Sequence, residues 1–116
     1  MEPTVLAVAL LILAAIFAIV GALALFERLP RNSVVGIQAK PVTVDDEHWR
    51  AGHKAAAPML LAAAGPSLLL AVALITVPPE SIADWFIIYA VVGVITGGLI
   101  ALAMRQAERA AEALDA

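Results

Sequence analysis

The chain has 116 residues, of which 63% are hydrophobic, and its 7 basic and 10 acidic side chains give a net charge of −3. Soluble domains are about 45–50% apolar, so this composition predicts an integral membrane protein. The lack of cysteine excludes disulfides and thiolate chemistry, and the few basic residues offer no binding face for nucleic acid.

Three windows without a charged side chain predict three transmembrane helices, at residues 5–26, 58–77 and 85–104. Each window is long enough, as a helix, to cross a hydrocarbon core of about 30 Å. The first is too long for a signal peptide and lacks a basic flank, so we expect it to remain as a membrane helix. The sequence therefore predicts a single all-α membrane domain over residues 1–116.

The segment between the first two windows, residues 27–57, holds five of the seven basic side chains, both histidines and one of the two tryptophans. Pro30 ends the first helix, and the residues around Gly36 favour turns. Thr43 is expected to cap a short interfacial helix over residues 44–57, which joins the second membrane helix. The segment is thus predicted to be a folded polar connector.

The histidines of this segment raise the hypothesis of a metal or catalytic site. His48 and His53 are five residues apart, about 140° around a helix, whereas a helical zinc motif needs a spacing of four. No nucleophile motif accompanies them, so metal binding and hydrolysis are disfavoured and no cofactor is expected. Trp49 and His53 share one helix face. We expect His53 either to pin the loop through a hydrogen bond or to contact a partner.

The membrane windows themselves contain few side chains that could bind an ion or take part in a reaction. They contain no ionisable side chain, which argues against an ion-coupled transporter. Small residues recur at four-residue spacing, at Ala14, Ala18 and Ala22 and at Gly93 and Gly97. Such lines let helices approach closely, so packing within the unit, contact between copies and chance all stay open. Gly65-Pro66 is expected to kink the second helix.

The basic residues also predict an orientation. All seven lie in the connector or in the tail, residues 105–116, and none lies in the link over residues 78–84. Because Lys and Arg favour the cytoplasmic side, we expect the N-terminus outside and the C-terminus in the cytoplasm. The tail is expected to continue the third helix as a solvated end rather than a docking site. Trp85 and Tyr89 are interpreted as interfacial anchors.

One string of residues along the connector carries a family resemblance. In order, it reads Pro30-Arg31-Asn32, Gly36-Ile37, Thr43 and then Trp49-Arg-Ala-Gly-His53-Lys54. This string resembles the motif of the SdpI family, bacterial membrane proteins named for an immunity protein against a secreted killing peptide. Gln38-Ala39 departs from that motif, which commonly has Arg-Thr at these positions.

The resemblance implies a protein of the bacterial plasma membrane that acts by binding, without catalysis. Its role would be immunity to a membrane-active peptide toxin or signal transduction through a cytoplasmic regulator. The matching residues are the candidate functional or structure-fixing set: Asn32, Gly36, Thr43, Trp49 and His53. The alternative hypothesis is a small accessory subunit of a larger membrane protein complex.

Overall fold

A computed structural model describes residues 3–77 and 79–116 of the protein. Within these residues it has no strand, and its four helices are α1 (Pro3–Leu25), α2 (Lys40–Thr43), α3 (Asp46–Thr76) and α4 (Ile82–Ala113). The helices α1, α3 and α4 are each long and apolar enough to cross a membrane. The predicted all-α architecture with three membrane helices is confirmed.

The sequence predicts an interfacial helix that joins the second membrane helix, with Pro58 either as the start of a separate helix or as an interior residue of one long helix. The structure has the second arrangement, because α3 is one continuous element of 31 residues. It runs unbroken through Pro58 and Pro66. A proline removes one backbone hydrogen bond, but packing against neighbouring helices keeps the helix continuous. At 1.5 Å per residue α3 is about 46 Å long, so its N-terminal third extends beyond a hydrocarbon core of about 30 Å.

The start of α3 differs from the predicted cap. Asp45, not Thr43, is the capping residue, and its carboxylate accepts a hydrogen bond of 2.9 Å from the amide of His48. The Thr43 hydroxyl instead donates to the carbonyl of Lys40, at 3.4 Å. The prediction for Thr43 is wrong because residues 40–43 form the short helix α2, which leaves the extended backbone needed for a cap at Asp45.

The helix α3 lies between α1 and α4 and packs against both. On α1, three buried small residues recur every seven positions, at Ala7, Ala14 and Gly21, and Ala24 is buried as well. A Cβ atom on Gly21 would lie 2.8 Å from the side chain of Leu61, so the two helices approach closely there. Ala18, on the line of four-residue spacing, is exposed. A seven-residue step stays on one helix face better than repeated steps of four.

The C-terminal part of α4 does not end in solvent. Ala103, Ala107 and Ala111 are fully buried, and a Cβ atom on Gly52 of α3 would lie 3.1 Å from the carbonyl oxygen of Ala107. The prediction of a solvated tail is therefore wrong for this face, which packs against α2 and the start of α3. The reason is steric, because alanine and glycine let the two backbones meet.

The glycines in the membrane part of α4 have no such contact. At Gly93, Gly97 and Gly98 an added Cβ atom would meet nothing within 4 Å in the described part of the chain. Packing within the three-helix unit therefore does not account for the GxxxG pattern. At the other end of the molecule from the connector, Trp85 and Tyr89 stack with ring centroids 5.7 Å apart.

Candidate functional site

The connector, residues 27–57, runs from the end of α1 into the first turns of α3, and its first turn is built around Asn32. The Asn32 amide group donates to the carbonyls of Pro30, at 2.8 Å, and Val35, at 3.0 Å. Its side-chain oxygen accepts from the amides of Val34, at 2.9 Å, and Val35, at 2.6 Å. Both amide hydrogens and both oxygen lone pairs are thus used, so Asn32 shapes this turn.

Gly36 follows that turn at a position that only glycine fits. Its φ is +114°, which strains any residue with a Cβ atom. An added Cβ would also lie 2.7 Å from Nε2 of His53 and 3.1 Å from the ring of Trp49. Gly36 therefore lets the connector backbone lie directly on these two rings.

Trp49 and His53 form a buried pair on one face of α3. Each is 1% exposed, and their ring centroids are 4.1 Å apart. Nε1 of Trp49 donates to the carbonyl of Leu29, at 3.0 Å, and Nε2 of His53 accepts from the amide of Ile37, at 2.8 Å. Two side chains of α3 thereby hold both ends of the polar turn region. The loop-pinning hydrogen bond expected of His53 is present.

The hydrogen bonds assign the protonation state of His53. The Ile37 amide can only donate, so Nε2 of His53 carries no proton, and Nδ1 donates to the carbonyl of Trp49, at 2.9 Å. Burial lowers the pKa of His53, which agrees with a neutral ring. His53 is therefore held as a neutral structural residue.

Thr43 lies apart from this pair and contributes through its backbone. Nη2 of Arg31 donates to the carbonyls of Thr43, at 3.0 Å, and Val44, at 3.3 Å. The Arg31 guanidinium also lies 3.7 Å from the carboxylate of Asp46. The structure thus brings Gly36, Trp49 and His53 together, while Asn32 and Thr43 each organise a separate part of the connector.

Sequence reasoning missed the role of His48. Its Nδ1 lies 2.7 Å from the carboxylate of Asp45, and its Nε2 lies 2.8 Å from the carboxylate of Asp115. Hydrogen bonds to Asp45 and then to Asp115 raise the pKa of His48. The spacing of Asp45 and His48 is visible in the sequence, but nothing local indicates a partner 67 residues away. His48 therefore links the start of α3 to the tail.

Two polar clefts open beside the buried pair. One, of about 260 Å³, lies between the end of α1 and the start of α3 and is lined by Arg28, Arg31 and Arg50 among others. The second, of about 540 Å³, is lined by polar residues that include Asn32 and Gln38. No group of three His, Asp or Glu side chains in the described residues is close enough to hold a metal ion. The two clefts are therefore the candidate binding surfaces of this site.

A family model described as the SdpI/YfhL protein family matches residues 28–104. The chain belongs to this family. No curated protein and no solved structure matches this chain. The resemblance read from the connector motif is therefore confirmed, and with it the assignment to a family of membrane proteins.

The matched region contains the whole connector motif from Asn32 to His53, so the buried ring pair and its hydrogen bonds lie in the family region. All of α1 precedes the match, and the tail contacts made by Ala107 and Asp115 follow it. The link from His48 to the tail therefore reaches beyond the residues that define the match.

Proposed function

We propose that the protein acts by binding in the bacterial plasma membrane, in immunity to a membrane-active peptide toxin or in signal transduction. One observation carries the proposal: the family motif holds the connector in one fixed shape. Gly36, Trp49 and His53 direct their contacts inward, and Asn32 uses its side chain within its own turn. A fixed polar platform at the end of three membrane helices suits recognition of a partner, and its ring pair offers no nucleophile with an adjacent base.

The orientation belongs to the same proposal. Contacts of Lys54 with Glu27 and of His48 with Asp115 bring the end of α1, the start of α3 and the tail together at one end of the molecule. All seven basic side chains fall in the connector or in the tail. The bias of Lys and Arg toward the cytoplasm supports a cytoplasmic connector and C-terminus, with the N-terminus outside.

The partner would contact the exposed clefts rather than the buried motif. Gln38 is exposed and lines the larger cleft. Because the family commonly has arginine here, a partner that carries an anionic group would bind this chain less tightly than its arginine-bearing relatives. We propose a peptide toxin or a cytoplasmic regulator as the partner, which are the two partner classes that the resemblance to the family motif implies.

Protection assays in a toxin-sensitive bacterial host test this function. We expect the expressed protein to protect cells against a secreted membrane-active killing peptide, and Trp49→Ala and His53→Ala to abolish protection by loosening the connector. Trp85→Ala is the matched control, because Trp85 lies outside the connector. Immunoblots of membranes would establish equal amounts of each variant. Absence of protection by the native chain would contradict the immunity role, and full protection by Trp49→Ala would contradict the part assigned to the connector.

A second candidate function, an accessory subunit of a larger membrane complex, is favoured by the open glycine face of α4. Gly93, Gly97 and Gly98 have no close neighbour in the described part of the chain, and such faces suit close helix contacts. Purification in mild detergent distinguishes the two functions. A stable partner in fixed stoichiometry supports the subunit, and purification of the chain alone supports the first proposal.

A further inference from the structure

The smaller polar cleft concentrates positive charge at one edge of the membrane unit. Arg28 and Arg31, just after α1, and Arg50, in the second turn of α3, line the same concavity of about 260 Å³. These arginines come from two separate parts of the sequence, so the fold brings them together. We propose that this cleft binds the phosphate group of an anionic phospholipid.

The charge balance inside the cleft supports an anionic ligand. Its two carboxylates are already engaged, since Glu27 lies 3.6 Å from Lys54 and Asp46 lies 3.7 Å from Arg31. Within the described residues, neither Arg28 nor Arg50 has a carboxylate within 4 Å. The cleft therefore keeps two uncompensated guanidinium groups, whose planar forks match the oxygens of a phosphate.

The fixed walls of the cleft favour a preformed site. Trp49 lines it and is held by its hydrogen bond to the carbonyl of Leu29, another lining residue. Arg31 is anchored by the carbonyls of Thr43 and Val44. The side chains of Arg28 and Arg50 alone need to change conformation when a ligand binds. Little conformational entropy is therefore lost on binding.

The position of the cleft favours a lipid over free phosphate. The apolar helix α1 ends at Leu25, and Arg28 follows within one turn's length of chain. Phe26, beside the cleft in sequence, is 68% exposed. An exposed aromatic ring followed by arginine is suited to the boundary between acyl chains and headgroups, where anionic lipid attracts basic side chains.

Lipid titration of the full chain in neutral detergent tests the proposal, with native mass spectrometry counting bound lipid. We expect phosphatidylglycerol to bind more tightly than phosphatidylcholine. Each arginine beside an anionic headgroup contributes about fivefold to affinity, so Arg28→Gln with Arg50→Gln should weaken phosphatidylglycerol binding about 25-fold. The matched control is Arg105→Gln with Arg109→Gln, which removes the same charge from the exposed face of the tail and should change affinity less than about threefold.

Three results would overturn the proposal. Equal loss of affinity in the two double variants would mean general surface attraction, and equal binding of phosphatidylglycerol and phosphatidylcholine would exclude an anion site. Competition by an equal concentration of sodium phosphate would assign the cleft to a free anion. The thermal unfolding midpoint without lipid should not change in the Arg28 and Arg50 variants. If the double variant fails to fold, each single variant should still weaken binding about fivefold.

Discussion

At the residue scale, the motif side chains use their polar atoms to fold the connector. Asn32, Trp49 and His53 have a hydrogen-bond partner for each side-chain nitrogen and oxygen. Loss of one partner from a buried pair costs about 1–3 kcal/mol, because the remaining group is left without water. The motif residues therefore fix the conformation of the connector. We expect the function to depend on the side chains that this conformation leaves exposed.

The two connector histidines should give opposite responses to pH. His53 is neutral in the folded connector and burial lowers its pKa, so its contribution is full above the ordinary histidine pKa of 6.5 and is lost as the pH falls. His48 has a raised pKa, so its contribution is full below 6.5 and is lost as the pH rises through the folded-state value. We expect the thermal unfolding midpoint, measured by circular dichroism, to peak near neutral pH.

Variants separate the two limbs of this profile. His48→Gln should remove the decline of the unfolding midpoint at alkaline pH and keep the decline at acid pH. The reason is that the hydrogen bond from the Ile37 amide to His53 is untouched. Asp115→Asn should weaken the alkaline decline, since Asp45 remains as the second partner of His48. An alkaline decline of equal size in the native chain and in His48→Gln would contradict this assignment.

At the element scale, the sequence predicts which helices exist better than where they begin and end. Charge-free windows identify α1, α3 and α4 because the bilayer demands about 20 apolar residues. The single helix α3 is not predictable from its prolines, since Pro58 reads equally as a helix start or as an interior residue. Its continuity depends on the packing of α1 and α4 on either side.

The packing of the tail against α3 could not be predicted from the sequence, for a related reason. Ala103, Ala107 and Ala111 are good helix formers wherever they occur, so their pattern does not distinguish a solvated helix from a packed one. The contact is decided by Gly52, which is more than fifty residues away and lies under Ala107. The connector motif, in contrast, could be recognised from the sequence, because the order and spacing of its residues carry the resemblance to the family.

Substitution of glycine by leucine at two helix positions tests tail docking. Gly52→Leu should displace the tail, because even a Cβ atom there would lie 3.1 Å from Ala107 and from Val42, and overpacking costs about 1–3 kcal/mol. Limited trypsin digestion should then cleave faster at Arg105 and Arg109. Gly97→Leu is the matched control, with open space around its Cβ, and should leave cleavage unchanged. Equal cleavage in both variants would contradict the docking.

At the scale of the whole molecule, the fold separates an apolar middle from a polar end. The lipid-facing middle is apolar, with large exposed side chains such as Leu69, Val94 and Ile95. The basic side chains are collected at the end where α1 stops and α3 starts, whereas the acidic Glu80 and Asp84 lie at the opposite end. Since α3 extends past the membrane core and carries Trp49 and His53, it joins the spanning region to the connector as one continuous helix.

The orientation of that platform is directly testable because the chain has no native cysteine. We expect Ser33→Cys, in the connector, to resist a membrane-impermeant maleimide added to intact cells and to react after lysis. Glu80→Cys, in the link between α3 and α4, should react in intact cells, because the proposed orientation places the basic end of the molecule in the cytoplasm and this link outside. Ala116→Cys should behave like Ser33→Cys, since Asp115 contacts His48 beside the connector. Labelling of positions 33 and 116 from outside, with position 80 protected, would reverse the orientation and place the arginine cleft at the outer leaflet.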